Sequence, residues 1–252
     1  MKNEKLKSTA EKVGAVVILL AAWHVLSVVV ANDILLVSPI DVLVRLTTIW
    51  REDGFFRSVA VSFAKIAVGF FSAAVLGTLL AVPASRFRAV RVLLSPFMSA
   101  IKAVPVASFI IIVLVWLDSA SLSTFISFLI VLPTVYTNIL AGLMSIPSGM
   151  NDMARVFGIK GVRRLACISL PCLKPYVMSS AGVSVGLAFK SGIAAEVIGI
   201  PSGSIGERLY QAKIYLETPD LLAWTVIIVV ISVLFEKLII WLIKLGYAAL
   251  ER

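Results

Sequence analysis

Charge is what this sequence has least of. Only 15% of its 252 residues are Asp, Glu, Lys or Arg, while 60% are apolar. The charges cluster between long apolar runs, as bilayer-crossing helices require. With a mean hydropathy of +1.03, the chain reads as an integral membrane protein. None of the long apolar runs alternates, which excludes a β-barrel. Two cysteines, Cys167 and Cys172, give neither a disulfide framework nor metal-ligand spacing. The single histidine, His24, lies in an apolar run and reads as a packed side chain. Gly199, Gly203 and Gly206 are not followed by Gly-Lys-Ser/Thr and follow no strand, so there is no phosphate loop. Without a Walker motif, a nucleophile constellation or a metal cluster, the chain does not hydrolyse ATP alone. A transport function would draw its energy from a partner or from an ion gradient.

The formal charge is +9, and its distribution excludes a nucleic-acid stripe. Six spans are predicted: Val13–Ala31, Ser58–Val82, Pro96–Leu117, Leu122–Leu143, Pro175–Glu196 and a sixth from Thr218 to about Lys237. The first run is too long for a signal peptide and lacks a small-residue cleavage site. This layout places fifteen of the 23 Lys and Arg on one side, five on the other and three in or near the bilayer. The asymmetry puts both termini and the 147–172 loop in the cytoplasm. Between the first two spans, Leu43, Leu46 and Ile49 sit at helical spacing behind Ser38-Pro39, so an interfacial helix is expected there. Lys102 and Pro105 interrupt the third span. A broken helix in lipid is tolerated only where its freed backbone faces protein or a water-filled path. Gly69, Ala73, Ala74 and Gly77, and again Gly182, Ser184, Gly186, Ser191 and Gly192, offer small faces for close helix packing.

The one long cationic, amphipathic interruption is Asn151–Cys172. Arg155, Lys160, Arg163 and Arg164 keep it in water, and Val156, Ile159, Val162, Leu165 and Ile168 form an apolar stripe at helical spacing. Two short helices bent at Gly158 are expected, with Pro171 closing the second. By periodicity alone, such a segment lies on the membrane surface or against its own helices.

The spacing in this loop resembles the signature of permease subunits of binding-protein-dependent ABC importers: E-A-A, three residues, G, nine residues, I-x-L-P. Here it reads Asp152-Met153-Ala154, Gly158, Ile168-Ser169-Leu170-Pro171, with both gaps of the right length. Asp replaces Glu, and Met153 replaces the first Ala. The resemblance covers roughly Ser58 to Trp241. It includes Ser62, Lys65 and Gly69-Phe70, the Leu94-x-Pro96 to Pro105 segment, Phe189–Glu196 with its Ala-Ala-Glu ending, and Phe235-Glu236-Lys237 with Trp241. The sequence is most similar to the nitrate, sulfonate, taurine and bicarbonate branch, which includes vitamin-precursor carriers.

The resemblance implies an all-α polytopic fold of six transmembrane helices. It divides the chain into an N-terminal helix and outer segment (1–57), a core permease domain (58–246) and a cytoplasmic tail (247–252). It makes Asp152, Ala154, Gly158, Ile168, Leu170 and Pro171 the ATPase-coupling loop. The implied partners are two ATPase subunits, an extracytoplasmic solute-binding protein and a second permease copy, identical or homologous, in a bacterial inner membrane. No cofactor is expected on this chain, because ATP and Mg would sit on the ATPase.

Lys102, Pro105, Lys190 and Glu196 are candidates for the pathway or subunit interface. A charge deep in the bilayer costs on the order of 3 kcal/mol on insertion scales, so it normally faces a cavity or a partner. Lys190 and Glu196 are six positions apart, which disfavours a tight mutual ion pair. A cationic lining would suit a small anionic solute. Alternatively, Lys190 snorkels or pairs with another subunit, and Glu196 reaches the headgroups. The competing class is an ion-coupled secondary transporter, although the halves of the chain show no internal repeat. A non-transport scaffold would need neither Lys190 nor the loop spacing.

Overall fold

The computed structural model describes residues 2–32 and 34–250, without the side chains of 2–10, 12, 13, 151, 162, 166 and 250. The described residues are mostly helical, with no strand among them. In chain order the helices are α1 (Lys2–Val30), α2 (Pro39–Thr48), α3 (Phe55–Arg86), α4 (Arg88–Ala103), α5 (Val106–Leu114) and α6 (Ser119–Met144). They continue with α7 (Ser148–Val156), α8 (Gly161–Arg164), α9 (Leu170–Gly199), α10 (Ile205–Ile214) and α11 (Thr218–Leu250).

Four helices are long and apolar enough to cross a membrane: α3, α6, α9 with its lead-in, and α11. A fifth span arises if α4 and α5, which meet at 99°, cross together. The apolar part of α1, Gly14–Val30, is shorter. The expected polytopic helical fold is therefore present, with four or five such spans among the described residues.

α3, α6 and α9 form the centre, brought together by small residues. Gly69 and Gly77 of α3 lie against Thr124, Ser127 and Val135 of α6. Gly142 of α6 meets Leu173 and Tyr176 of α9, and Gly192 of α9 meets Ser127 and Ile66. At Gly69, Gly142 and Gly192 a Cβ would collide with the neighbour, and at Gly77 it would press tightly against Val135. In lipid, where burying apolar surface gives helices little drive to associate, such close approach supplies the dispersion energy that holds them. The expected small face of α3 is borne out. That of α9 divides: Ser184, Ser191 and Gly192 are buried, while Gly182 borders Glu236 of α11 and Gly186 has open space beside it.

α11 joins through Phe235, whose ring lies 5.1 Å from Phe63, 5.6 Å from Phe70 and 5.9 Å from Phe189. The expected end of this helix at Glu236-Lys237 is corrected, since α11 runs on to Leu250. Nothing after Lys237 breaks it. Leu238 to Ile243 is apolar, the segment lacks proline, and Lys174 of α9 holds Tyr247 by a cation–π contact at 5.5 Å.

Ser38 caps α2 as the sequence suggests, accepting from the Asp41 amide. The buried face is Val42, Leu46 and Ile49, and Leu43 points outward. On the same helix, the Arg45 guanidinium pairs with Asp220 at the start of α11 and with Glu52. The hydrogen bond to Asp220 raises the pKa of Arg45 above its ordinary value.

Candidate coupling loop and span charges

The loop emerges from α6 through Pro147 and forms α7. The chain then turns at Gly158, whose φ of +63° is left-handed and suits glycine. Gly161, at φ +58°, starts α8. The two-helix hairpin bent at Gly158 is thus present. Its expected closure at Pro171 is not. Leu165–Ser169 form a π-helical turn that leads directly into α9, and Pro171 lies in the first turn of that helix. Proline lacks an amide hydrogen and its ring crowds the carbonyl four residues back, so a widened turn lets the helix pass through it.

The signature residues divide between anchors and surface. Ala154 is 2% exposed and Ile168 5%, so these two fasten the hairpin. Asp152, Gly158 and Pro171 are exposed, and Leu170 is half-buried. Asp152 makes a loose, solvated contact of 3.7 Å with Arg155. The apolar stripe does not lie down as one face. Val156 is 83% exposed and Leu165 is also outward, while Ile159 is partly buried. Val162 lies outside the described side chains. Beside Val156, Phe157 is 71% exposed, so the bend presents an apolar knuckle flanked by Arg155 and Lys160.

Among the span charges, Lys102 lies next to the break between α4 and α5. Its ammonium donates to Thr137 Oγ1 on α6 at 3.2 Å. Val104 is extended (φ −76°, ψ 132°), as the residue before a proline must be, and Pro105 opens α5. Lys190 is exposed on α9, and its ammonium has no partner among the described residues. Glu196 is fully buried. Ser62 Oγ donates to its Oε2 at 2.6 Å, and the Gly206 amide donates to the same oxygen at 3.2 Å.

At 1.5 Å per residue, Lys174 and Glu196 stand about 33 Å apart along α9, close to the hydrocarbon thickness of a bilayer. Lys190 is about 9 Å along the axis inside Glu196 and about 120° around the helix from it. The structure therefore does not unite the four candidates. Lys102 and Pro105 share one place, Lys190 is elsewhere on an open face, and Glu196 is sealed within the subunit. Sequence reasoning missed the partners of Glu196. Ser123 approaches it too, and Ile205 and Gly206 start a helix 10 residues further on. One signal was legible: Ser204-Ile205-Gly206-Glu207 has the Ser-x-x-Glu spacing of a helix start.

Comparison with known proteins agrees with this architecture. Residues 73–249 match the family model described as binding-protein-dependent transport system inner membrane component. A nitrate import permease of Synechococcus elongatus is 27% identical over 223 residues, 84% of this chain and 79% of the relative. A taurine transport system permease of Escherichia coli is 24% identical over 269 aligned residues, 99% and 94% of the two chains. A bicarbonate transport system permease of Synechococcus elongatus is 23% identical over 192 residues, 76% and 69%. With its apolar helices and its signature loop, the chain belongs to the inner-membrane permeases of binding-protein-dependent ABC importers, in the branch of these three relatives.

Proposed function

We propose that this permease forms the solute pathway of an ATP-driven importer and couples to a separate ATPase through residues 151–171. One observation carries the reading. The hairpin is anchored by Ala154 and Ile168 while Val156 and Phe157 stand exposed at its bend. Large exposed apolar side chains on an otherwise cationic loop favour a protein groove as their seat. A rigid hairpin continuous with α9 would pass a push at the bend directly into that span. ATP and Mg belong to the ATPase, and this chain binds no cofactor.

The remaining parts of the assembly follow the same reading. A second permease copy completes the pathway, with a homologous permease as the other option, and an extracytoplasmic binding protein delivers the solute. The protein sits in a bacterial inner membrane with both termini and the loop cytoplasmic, supported by the Lys and Arg asymmetry. The core permease domain spans 58–246, preceded by the segment 1–57 and followed by the tail 247–252. The solute is a small anion of the nitrate, sulfonate or taurine kind, supported by the relatives and by the exposed cation of Lys190.

Purification of the tagged protein from detergent-solubilised membranes, with partners identified by mass spectrometry, tests this. An ATPase that co-purifies with the wild type and is lost with Gly158→Val is the expected result. A preparation free of ATPase that moves solute into liposomes under an ion gradient would replace this reading with a secondary transporter.

A further inference from the structure

The carboxyl group of Glu196 lies at one end of the helix bundle, where α3, α6 and α9 meet, and α10 starts on top of it. Ser62 Oγ donates to Glu196 Oε2 at 2.6 Å and itself accepts from the Ile205 amide at 2.8 Å. Gly206 donates to the same carboxyl oxygen. Ile205 and Gly206 are the first two residues of α10, so two amides that no helical carbonyl can satisfy end on one serine–glutamate pair. A Cβ at Gly206 would overlap Glu196, so only glycine admits this approach. The neighbouring amides are satisfied locally, Glu207 by Ser204 Oγ and Gly203 by the Glu207 carboxyl.

Along the rest of α10, Leu209 packs against the main core and Arg208 Nη2 donates to the Asp53 carbonyl at 2.7 Å. Beyond Ile205 and Gly206, Ala212 is its one other buried residue. Its far end, Ile214 to Leu216, is exposed, and the chain reverses at Leu216 with a left-handed φ of +57°. α10 thus packs on the bundle through Ile205, Leu209 and Ala212, is seated at its start by polar contacts to Glu196 and Ser62, and is joined to α11 by an exposed corner. We propose that Glu196 and Ser62 form a latch. They hold α10 closed over this end of the bundle, and breaking the contact with Gly206 lets α10 swing about the corner at Leu216 and open that end. Glu196 is then a positioning residue for a movable cover and touches no solute. The latch stands on geometry within one chain, whatever the solute and whichever protein energises it.

The test is a pair of spin-label distances in the full chain in nanodiscs, with Cys167 and Cys172 replaced by alanine. Labels at Lys213→Cys on α10 and Ser121→Cys on α6 report the cover. Labels at Phe56→Cys on α3 and Ser121→Cys report the bundle. Glu196→Ala should add a longer-distance population to the cover pair and leave the bundle pair unchanged. Gly206→Ala should do the same with the carboxyl group intact, by denying α10 its seat. Glu196→Gln keeps an acceptor oxygen and should retain the wild-type distribution. An unchanged cover distance in both alanine variants overturns the latch. So does a shift of both pairs together, which would make Glu196 a general packing residue, or release of α10 by the glutamine variant.

Discussion

Ser127 of α6 donates a hydrogen bond to the backbone carbonyl of Ala188 on α9 at 3.0 Å, and Gly192, one turn further along α9, lies directly against the same serine. The two helices meet there with only a hydrogen between them. A side chain at 192 would also strike Ile66 of α3, so this glycine sets the spacing of three spans at once. Gly192→Leu should destabilise the protein by about 1–3 kcal/mol, the usual cost of overpacking. A lowered unfolding temperature in detergent would show it, and Gly186→Leu, whose site has open space, is the control expected to change little.

Arg45 reaches Asp220 through both Nε and Nη2, a fork that lysine cannot reproduce. Arg45→Ala should cost on the order of 1–2 kcal/mol, because the pair is only partly shielded from water. Arg45→Lys should recover less than half of the loss. Thermal unfolding of the three proteins at low and high salt measures both, and the wild-type advantage should shrink as salt rises.

Gly158 is left-handed with open space around it, so its backbone, not its volume, restricts substitution. Gly158→Asn should keep much of the function and Gly158→Val should lose it, since asparagine tolerates this region and β-branched residues do not. ATPase recovered with the permease is the readout. Asp152→Lys combined with Ala154→Asp should insert normally yet bind no ATPase, because it buries a charge at the anchor and reverses one beside it.

Lys190 stands on an open face within the span. Lys190→Glu should abolish uptake of an anionic solute, and Lys190→Arg should retain it. Uptake of nitrate, taurine and bicarbonate by the reconstituted importer decides this. Equal transport by Lys190→Glu and wild type would remove Lys190 from the pathway.

Much of the fold was legible because the bilayer enforces it. A run such as Leu122–Leu143 has to be helical, since a backbone in hydrocarbon must satisfy its own hydrogen bonds. The loop was legible because Gly158 and its flanking gaps are a local pattern. Where one segment's behaviour depended on another, the sequence misled. Pro171 looks like a helix stop, but a π-helical turn absorbs it. Lys237 looks like a helix end, but the aromatic contacts of Phe235 and the cation–π contact of Tyr247 carry α11 past it. Leu43 looks like a buried position, but α2 turns Val42 and Ile49 inward and leaves Leu43 exposed.

Apolar run length, charge asymmetry and the spacing around Gly158 by themselves determined a helical membrane permease with a cationic loop between two spans. These are one-dimensional properties, read by the bilayer in nearly the same form as they are written. Tertiary structure alone decided that Glu196 is sealed against Ser62 and Gly206 while Lys190, on the same helix, stays open. About 120° around the helix separates two charges that look alike in the sequence, and which side meets protein depends on the helices that come to lie there.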